Sequence, residues 1–387
     1  MNNKTQLITI AIVAILGVAA ASAAVIVINN GDGKTSSNGS NGDSTQNAKG
    51  FYSWSPTMIR VDSTYSACTP AFMSIVETGY KAVYGDIPSF EGIDRSDIPA
   101  KYLYPYTDFT SVNGSGKLVI KTFDNTSDGK KEAYLDKTLE FTPTKVISYM
   151  DANIDTIYRI LCDYYGEKPY AEGNTADTKL WELIPAMTST VKTNLEKNYS
   201  LKVPDTVQII GTSQEDLTNY CGGIDSSEKV IIFMSEYNIR STNKSTWWGT
   251  NTAITAANSN IQFVYTLSNS PSMILSTMEM MGEIIGYENT EAMMTKILAE
   301  IYVMQKAIDE SGKKISFYAE TNAKKAVASN TNMGGMFTYI LKMNNIVTGD
   351  NLMNGTLSDE KIIDAKPNLL VFYKNDSRSD DECMRAA

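Results

Sequence analysis

KKISFYAE at Lys313–Glu320, NMGGMFTYILKMNNIVTGDNL at Asn332–Leu352 and LSDEKIIDAKPNLLVFY at Leu357–Tyr373 decide how this chain folds. The apolar runs Ile315–Tyr318 and Leu369–Tyr373 read as two buried parallel strands. Between them the pattern predicts one amphipathic helix over Met336–Met343 and a second over Ser358–Ala365. The order is strand, Gly-Gly turn, helix, loop, helix, Pro367, strand. That is a crossover unit of a doubly wound sheet, in which ligands bind beyond the carboxyl ends of the strands.

Upstream, SMILSTMEMMGEIIGYENTEAMMTKILAEIYVMQKAIDES spans Ser272–Ser311. Ile274, Met278, Met281 and Ile285 share one helical face, and Gly286 ends that helix. A longer helix follows from about Thr290, with Met294, Ile297, Ile301, Met304 and Ile308 on one face. Methionine at this spacing is core filler rather than a metal set.

Further upstream, Lys117–Phe123 and Thr138–Phe141 read as a hairpin around a polar loop that includes Asp124–Lys131. Val146–Tyr149, Val207–Ile210, Val230–Phe233 and Ile261–Tyr265 are further strand candidates. A helix is expected over Ile154–Tyr165, with Asp151 or Asn153 as its cap. The helix-like text around Thr178–Tyr199 reads as an insertion, and Phe51–Tyr106 has no assignable periodicity. The parts are a segment 1–28, a linker 29–50, an extension with hairpin 51–144, a first α/β lobe 145–271, connecting helices 272–311 and a second α/β lobe 312–387.

Composition excludes more than it proves. The chain has 387 residues, a formal net charge of −10 and no histidine. The acidic balance leaves no basic stripe for nucleic acid. Without histidine there is no Ser-His-Asp or Cys-His nucleophile, no His-ligated zinc and no imidazole proton shuttle. No cofactor is expected. At the amino end Leu7–Ile28 is apolar except for Thr9, Gly17 and Ser22. As a helix it would be about 30 Å long, enough for a bilayer core. An uncleaved membrane anchor is the first reading and a signal peptide cut within Ala19–Ala24 the second. Either way the remainder lies on the extracytoplasmic face. Asn29–Lys49 is a Gly/Ser/Asn-rich stalk, and seven Asn-x-Ser/Thr sites follow the apolar run, from Asn38 to Asn375. Cys68, Cys162, Cys221 and Cys383 match no metal spacing, and sequence leaves their pairing open.

Ser358 and Glu360 opening a short helix, followed by Pro367 and an apolar strand, resemble the helical-backbone substrate-binding proteins of ABC importers, the group that takes up iron–siderophores, haem and cobalamin. Asn368 stands where that family usually has Asp. Pro143-Thr144-Lys145 before the first core strand, and Gly282 and Gly286 before the long helix, fit the same pattern. The stretch Cys221–Asp225 lacks the family's Pro-Asp pair. The resemblance implies two Rossmann-like α/β lobes of periplasmic-binding-protein type joined by a long helix, a cleft between them and no enzyme activity. The expected partners are a small metal chelate as cargo and the permease subunits of an importer; the sequons suit an archaeal source. Members continue well past the last strand. This chain stops fourteen residues after Tyr373, so the second lobe is expected to be left short or closed differently.

The strand-end rule places Tyr149, Asp151, Tyr237, Arg240, Trp247, Trp248 and Tyr318 at the cleft. EYNIRSTNKSTWWG, Glu236–Gly249, is the most ligand-like text: flat aromatic surface from Tyr237, Trp247 and Trp248, and a fixed cation from Arg240. A tyrosine also suits ferric iron. The resemblance implies permease docking for Glu360; a first-helical-turn acid favoured by the helix dipole is the plainer reading. Two other classes stay open: a cell-surface adhesion or structural protein, from the stalk and sequons, and an exported hydrolase using paired carboxylates such as Glu279/Glu283, i, i+4 neighbours on what is ordinarily a solvated helix face.

Overall fold

A computed structural model describes residues 54, 56–61, 71–124, 133–235, 244–266, 270–287, 290–321, 325–329, 332–348, 355–374, 378–379 and 382–383. The apolar run Leu7–Ile28 and the stalk lie outside these. Among the described residues no helix is long and apolar enough to cross a membrane.

In chain order the elements begin with β1 (Thr57–Val61), α1 (Phe72–Tyr84), β2 (Thr110–Val112), β3 (Leu118–Asp124), β4 (Ala133–Thr138), β5 (Lys145–Ser148) and α2 (Asp151–Tyr165). Next come α3 (Thr175–Leu183), β6 (Ala186–Thr188), α4 (Ser189–Asn198), β7 (Gln208–Ile210), α5 (Gln214–Gly222), β8 (Val230–Ser235), α6 (Lys244–Ala257) and β9 (Ile261–Thr266). The remainder is α7 (Pro271–Ile285), α8 (Thr290–Ser311), β10 (Ser316–Glu320), α9 (Asn332–Gly335) running into a π-helical turn Met336–Ile340, β11 (Asn344–Asn345), α10 (Asp359–Ala365) and β12 (Leu369–Tyr373).

The first lobe is a parallel five-stranded sheet in the order β7-β6-β5-β8-β9. Every residue of β8 and of β9 is buried, because helices cover both faces. Val146, Ile231, Phe233 and Val264 join the core that holds Ile154, Ile157 and Tyr158 of α2. The alternate residues Ile147, Ile232, Met234 and Phe263 pack with Leu217 and Cys221 of α5 and Ile254 of α6. The expected helical insertion at Thr178–Tyr199 is instead a helix, a strand and a helix. Pro185 cannot continue a helix, and Thr188 restarts one by accepting a hydrogen bond from the Val191 N–H at 3.3 Å. So β6 is an integral strand of the lobe.

A three-stranded antiparallel sheet, β2-β3-β4, lies beside β9. Thr122 Oγ1 donates to the Tyr265 carbonyl at 3.4 Å and accepts from the Tyr265 N–H at 2.9 Å. The second hairpin strand was expected at Thr138–Phe141. It is Ala133–Thr138, since the ladder runs from Asp124↔Ala133 to Val119↔Thr138.

Helix α7 starts with Pro271 as its first residue behind the Ser270 cap, and Gly286 closes it in the left-handed conformation, φ 77°. Helix α8 then runs for 22 residues, about 33 Å, between the lobes. Met294, Ile301, Met304 and Ile308 are buried along it, as their spacing predicts, while Ile297 is half-buried.

The second lobe holds a parallel sheet in the order β1-β12-β10-β11. Its outer strand β1 comes from the unassigned amino-terminal extension and pairs with β12 from Thr57↔Leu369 to Val61↔Tyr373. Of the two expectations for this lobe, left short or closed differently, the pairing matches the second. The start of the chain supplies the strand, and α1 packs over it with Phe72, Ile75 and Val76 in the core. Cys383 covers the other face with Met58 and Phe372. Asn368, the departure from Asp, uses its Oδ1 to accept from Ser316 N–H at 2.9 Å and Ser316 Oγ at 3.1 Å, a role either side chain fills. The helix expected over Met336–Met343 begins earlier and ends at Ile340. Its wide turn leaves carbonyls that Gln305 of α8 satisfies, donating to Tyr339 and Ile340 at 3.2 and 3.1 Å.

Candidate ligand-binding site

The helices that follow β9 and β10 meet at one point. A Cβ added to Gly335 would lie 3.1 Å from Pro271 Cδ. The carboxyl ends of the two sheets therefore share the side on which the lobes touch.

On the first-lobe side that edge is built of hydroxyls. β5, β6, β8 and β9 end in Ser148, Thr188, Ser235 and Thr266, all buried. Asn153 Nδ2 donates to Ser148 Oγ at 3.2 Å and Thr266 Oγ1 donates to Asn153 Oδ1 at 3.1 Å, tying the ends of β5 and β9 to α2. Asp151 opens α2 and is only 5% exposed. Burial pushes its carboxyl above the usual range, partly offset by hydrogen bonds from its own N–H, the Asn194 side chain and the Ala152 N–H. Among the described residues its Oδ2 has no hydrogen-bond partner. One turn on, Asp155 accepts from Arg159 Nε at 3.2 and 3.1 Å and from the Tyr170 hydroxyl. The nearby Tyr199 hydroxyl, pushed up by burial and then by Asp155 and Asp151, also lacks a partner among the described residues.

The opposite face of the same edge is aromatic. Tyr149 stands edge-on to Trp247, with ring centres 5.9 Å apart, and Trp248 lies tilted over Tyr265 at 5.7 Å. Both indoles are half-buried, on the first turn of α6 rather than on a loop. Tyr237 and Arg240 lie outside the described residues.

On the second-lobe side, the expectation for Tyr318 is corrected. It is 1% exposed and its hydroxyl donates to Glu320 Oε2 at 2.8 Å, so it is a core residue. Both faces of this sheet are covered, and strand parity then carries no information about exposure. Glu320 Oε1 takes a 2.5 Å ion pair from Arg378, whose guanidinium lies over Phe372. Glu360 is exposed in the first turn of α10; the N–H of its own backbone and Ser358 hold its carboxyl below the ordinary value. Glu279 is not on a solvated face. Tyr106 donates to its Oε1 at 2.9 Å and burial raises its pKa. Cys162 and Cys221 are buried free thiols. Among the described residues no three His, Cys, Asp or Glu side chains group to hold a metal.

The sequence reading missed the hydroxyl edge, yet its signal is plain in KVIS, AMT, VIIFMS and IQFVYT: four apolar runs, each closed by Ser or Thr.

No protein-family model matches this chain, and no curated protein matches it by sequence. Among solved structures it is similar to a periplasmic binding protein from Veillonella parvula at 14% identity and a TM-score of 0.39, over 72% of this chain and 82% of that one. It is similar to the periplasmic vitamin B12 binding protein BtuF of Vibrio cholerae at 10% identity and a TM-score of 0.36, over 60% and 78%. For the siderophore periplasmic binding protein from the fuscachelin gene cluster of Thermobifida fusca the values are 9%, 0.36, 60% and 77%. The architecture given above rests on strand order and register, not on these distant likenesses.

Proposed function

We propose that the protein is an extracytoplasmic solute-binding protein that captures a metal chelate between its lobes and delivers it to an ABC importer. The observation that carries this reading is the pair of parallel sheets whose carboxyl edges share the Pro271–Gly335 side, joined by the single long helix α8. Small solutes bind at such edges. The hydroxyls that end the first-lobe strands and the aromatic pair Tyr149–Trp247 supply polar and flat surface for a chelate of the iron–siderophore, haem or corrinoid type. Leu7–Ile28 holds the protein at the membrane, and Glu360 is the second-lobe contact to the permease.

The test is a binding screen of the full chain in detergent against ferric siderophores, haem, corrinoids and free metals, read by tryptophan fluorescence. A chelate is expected to quench it, and Trp247→Ala with Trp248→Ala to weaken affinity by more than ~1 kcal/mol. Unchanged affinity in the folded double variant would move the site away from α6. Protease treatment of intact cells is expected to remove the lobes and leave a short membrane-held stub. For Glu360→Gln, ligand affinity and melting temperature are expected to hold while ligand-stimulated ATP hydrolysis by the reconstituted importer falls.

The adhesion reading keeps one observation in its favour. The β2-β3-β4 sheet exposes Val112 and Leu135. Homotypic binding that is lost on Val112→Lys would support it.

A further inference from the structure

A pocket of about 380 Å³ lies far from the candidate site, where β1, β10 and β12 begin. Trp54, Pro56, Ile315, Pro367, Ala82 and Val83 give it apolar walls. Among the described residues its charged lining is two lysines, Lys313 and Lys366, and no carboxylate. In a chain of net charge −10 this is a local reversal of sign. Both lysines are exposed. Each follows a helix end, α8 for Lys313 and α10 for Lys366, where a cation is favoured. Lys313 Nζ is 3.5 Å from the Val83 carbonyl at the end of α1. The indole of Trp54 is fixed, its Nε1–H donating to the Pro367 carbonyl at 3.0 Å.

The chain enters the fold here. Trp54 and β1 directly follow the stalk and the apolar run Leu7–Ile28, so an anchor would draw this end of the second lobe toward the bilayer. We propose that this pole rests on the membrane surface and that Lys313 and Lys366 take the phosphate of an anionic lipid headgroup, with Trp54 at the interface. The proposal rests on the membrane attachment given above. The pieces match the site's chemistry: ammonium groups meet phosphate, and an amphipathic indole sits at headgroup level. Parallel strands run away from this pole, so the lobe resting on it holds its carboxyl edge, and the candidate site, clear of the lipid.

The test uses the full chain reconstituted into phosphatidylcholine vesicles with and without phosphatidylglycerol. Flotation reads attachment. Acetylation by a water-soluble amine reagent, located by mass spectrometry, reads the pole, with exposed Lys202 of the first lobe as the internal reference. The protein is expected to float with both compositions. Labelling of Lys313 and Lys366 is expected to fall about fivefold in the phosphatidylglycerol vesicles, the factor for about 1 kcal/mol per lysine at an anionic surface, and to recover at high salt. Lys202 is expected to label equally. Soluble glycerol phosphate is expected to give no protection; protection by it would overturn the lipid assignment in favour of a soluble anion. Flotation with equal labelling of the two lysines in both compositions would overturn the headgroup proposal alone. Failure to float with either would overturn attachment and proposal together.

Discussion

Glu300 of α8 faces Glu77 and Lys81 of α1, and its carboxyl is pushed up to about 8, first by burial and then by the Glu77 charge. Lys81 pulls the other way and is itself 3.5 Å from Glu77. A carboxyl raised in the folded state stabilises the fold fully below its unfolded value, near 4.5, and that contribution is lost as pH rises through about 8. Thermal melts are therefore expected to fall between pH 5 and pH 8.5. Glu300→Gln, which stays neutral, is expected to flatten that dependence and to melt higher than the parent at pH 8.5. A parallel fall in the variant would assign the dependence to other groups. Gly79 of α1 is a second sensitive residue. A Cβ there would lie 2.4 Å from Phe337 Cε1 and 3.0 Å from Leu341 Cδ1, both in fully buried side chains. Gly79→Ala is expected to cost about 1–3 kcal/mol in a denaturant titration, the range for overpacking.

Among elements, those with long apolar runs and clear punctuation were legible. Leu369–Tyr373, Val230–Phe233 and Ile261–Tyr265 are strands as read, and Pro271 and Gly286 bracket α7 as read. β6 escaped because three residues carry no periodicity, and only the flanking Pro185 and Thr188 betray the break. β1 escaped because its partner is at the other end of the chain, and no local pattern reports a distant pairing. At the candidate site, the strand-end rule singled out Asp151 and the Tyr149–Trp247 pair, which lie at the carboxyl edge of the first sheet; their contact with a ligand is a proposal. Tyr318 was misplaced because a strand covered on both faces buries side chains of either parity, here all from Phe317 to Glu320. The carboxyl-terminal segment escaped as well. Its hold on the sheet comes from the Arg378–Glu320 ion pair and from Arg60, which donates to the Arg378 carbonyl at 2.7 Å. Arg378→Ala leaves the buried Glu320 carboxyl with, among the described residues, the Tyr318 hydroxyl as its side-chain donor. The expected loss is about 3 kcal/mol, the scale for breaking one side of a buried pair. A melting temperature equal to the parent's would mean that the segment contributes nothing to closing the lobe.

At the scale of the whole molecule, one buried apolar cluster runs from Val146 and Val264 of the first lobe to Phe317 and Val371 of the second, and α7 and α9 approach closely beside it. Gly335 lets Pro271 approach without a side chain between them. Gly335→Val is expected to push the lobes apart and raise the radius of gyration in solution scattering, with little change in circular dichroism. An unchanged scattering profile would show that the contact does not set the lobe spacing.

The pairing of β1 with β12 also fixes an order in time. Trp54 leaves the ribosome 313 residues ahead of Pro367, the group it bonds in the finished fold. At about 5–20 residues per second, that interval is on the order of 15–60 seconds. The strands β5 to β9 are contiguous in sequence, so the first lobe can complete its sheet during synthesis. TMIRV waits as an unpaired apolar edge, with Arg60 as its one charge against premature association. Nascent chains arrested before Leu369 emerges are expected to resist protease from β5 to β9 and to be cut freely between β1 and α1. The first strand made is the last to find its place.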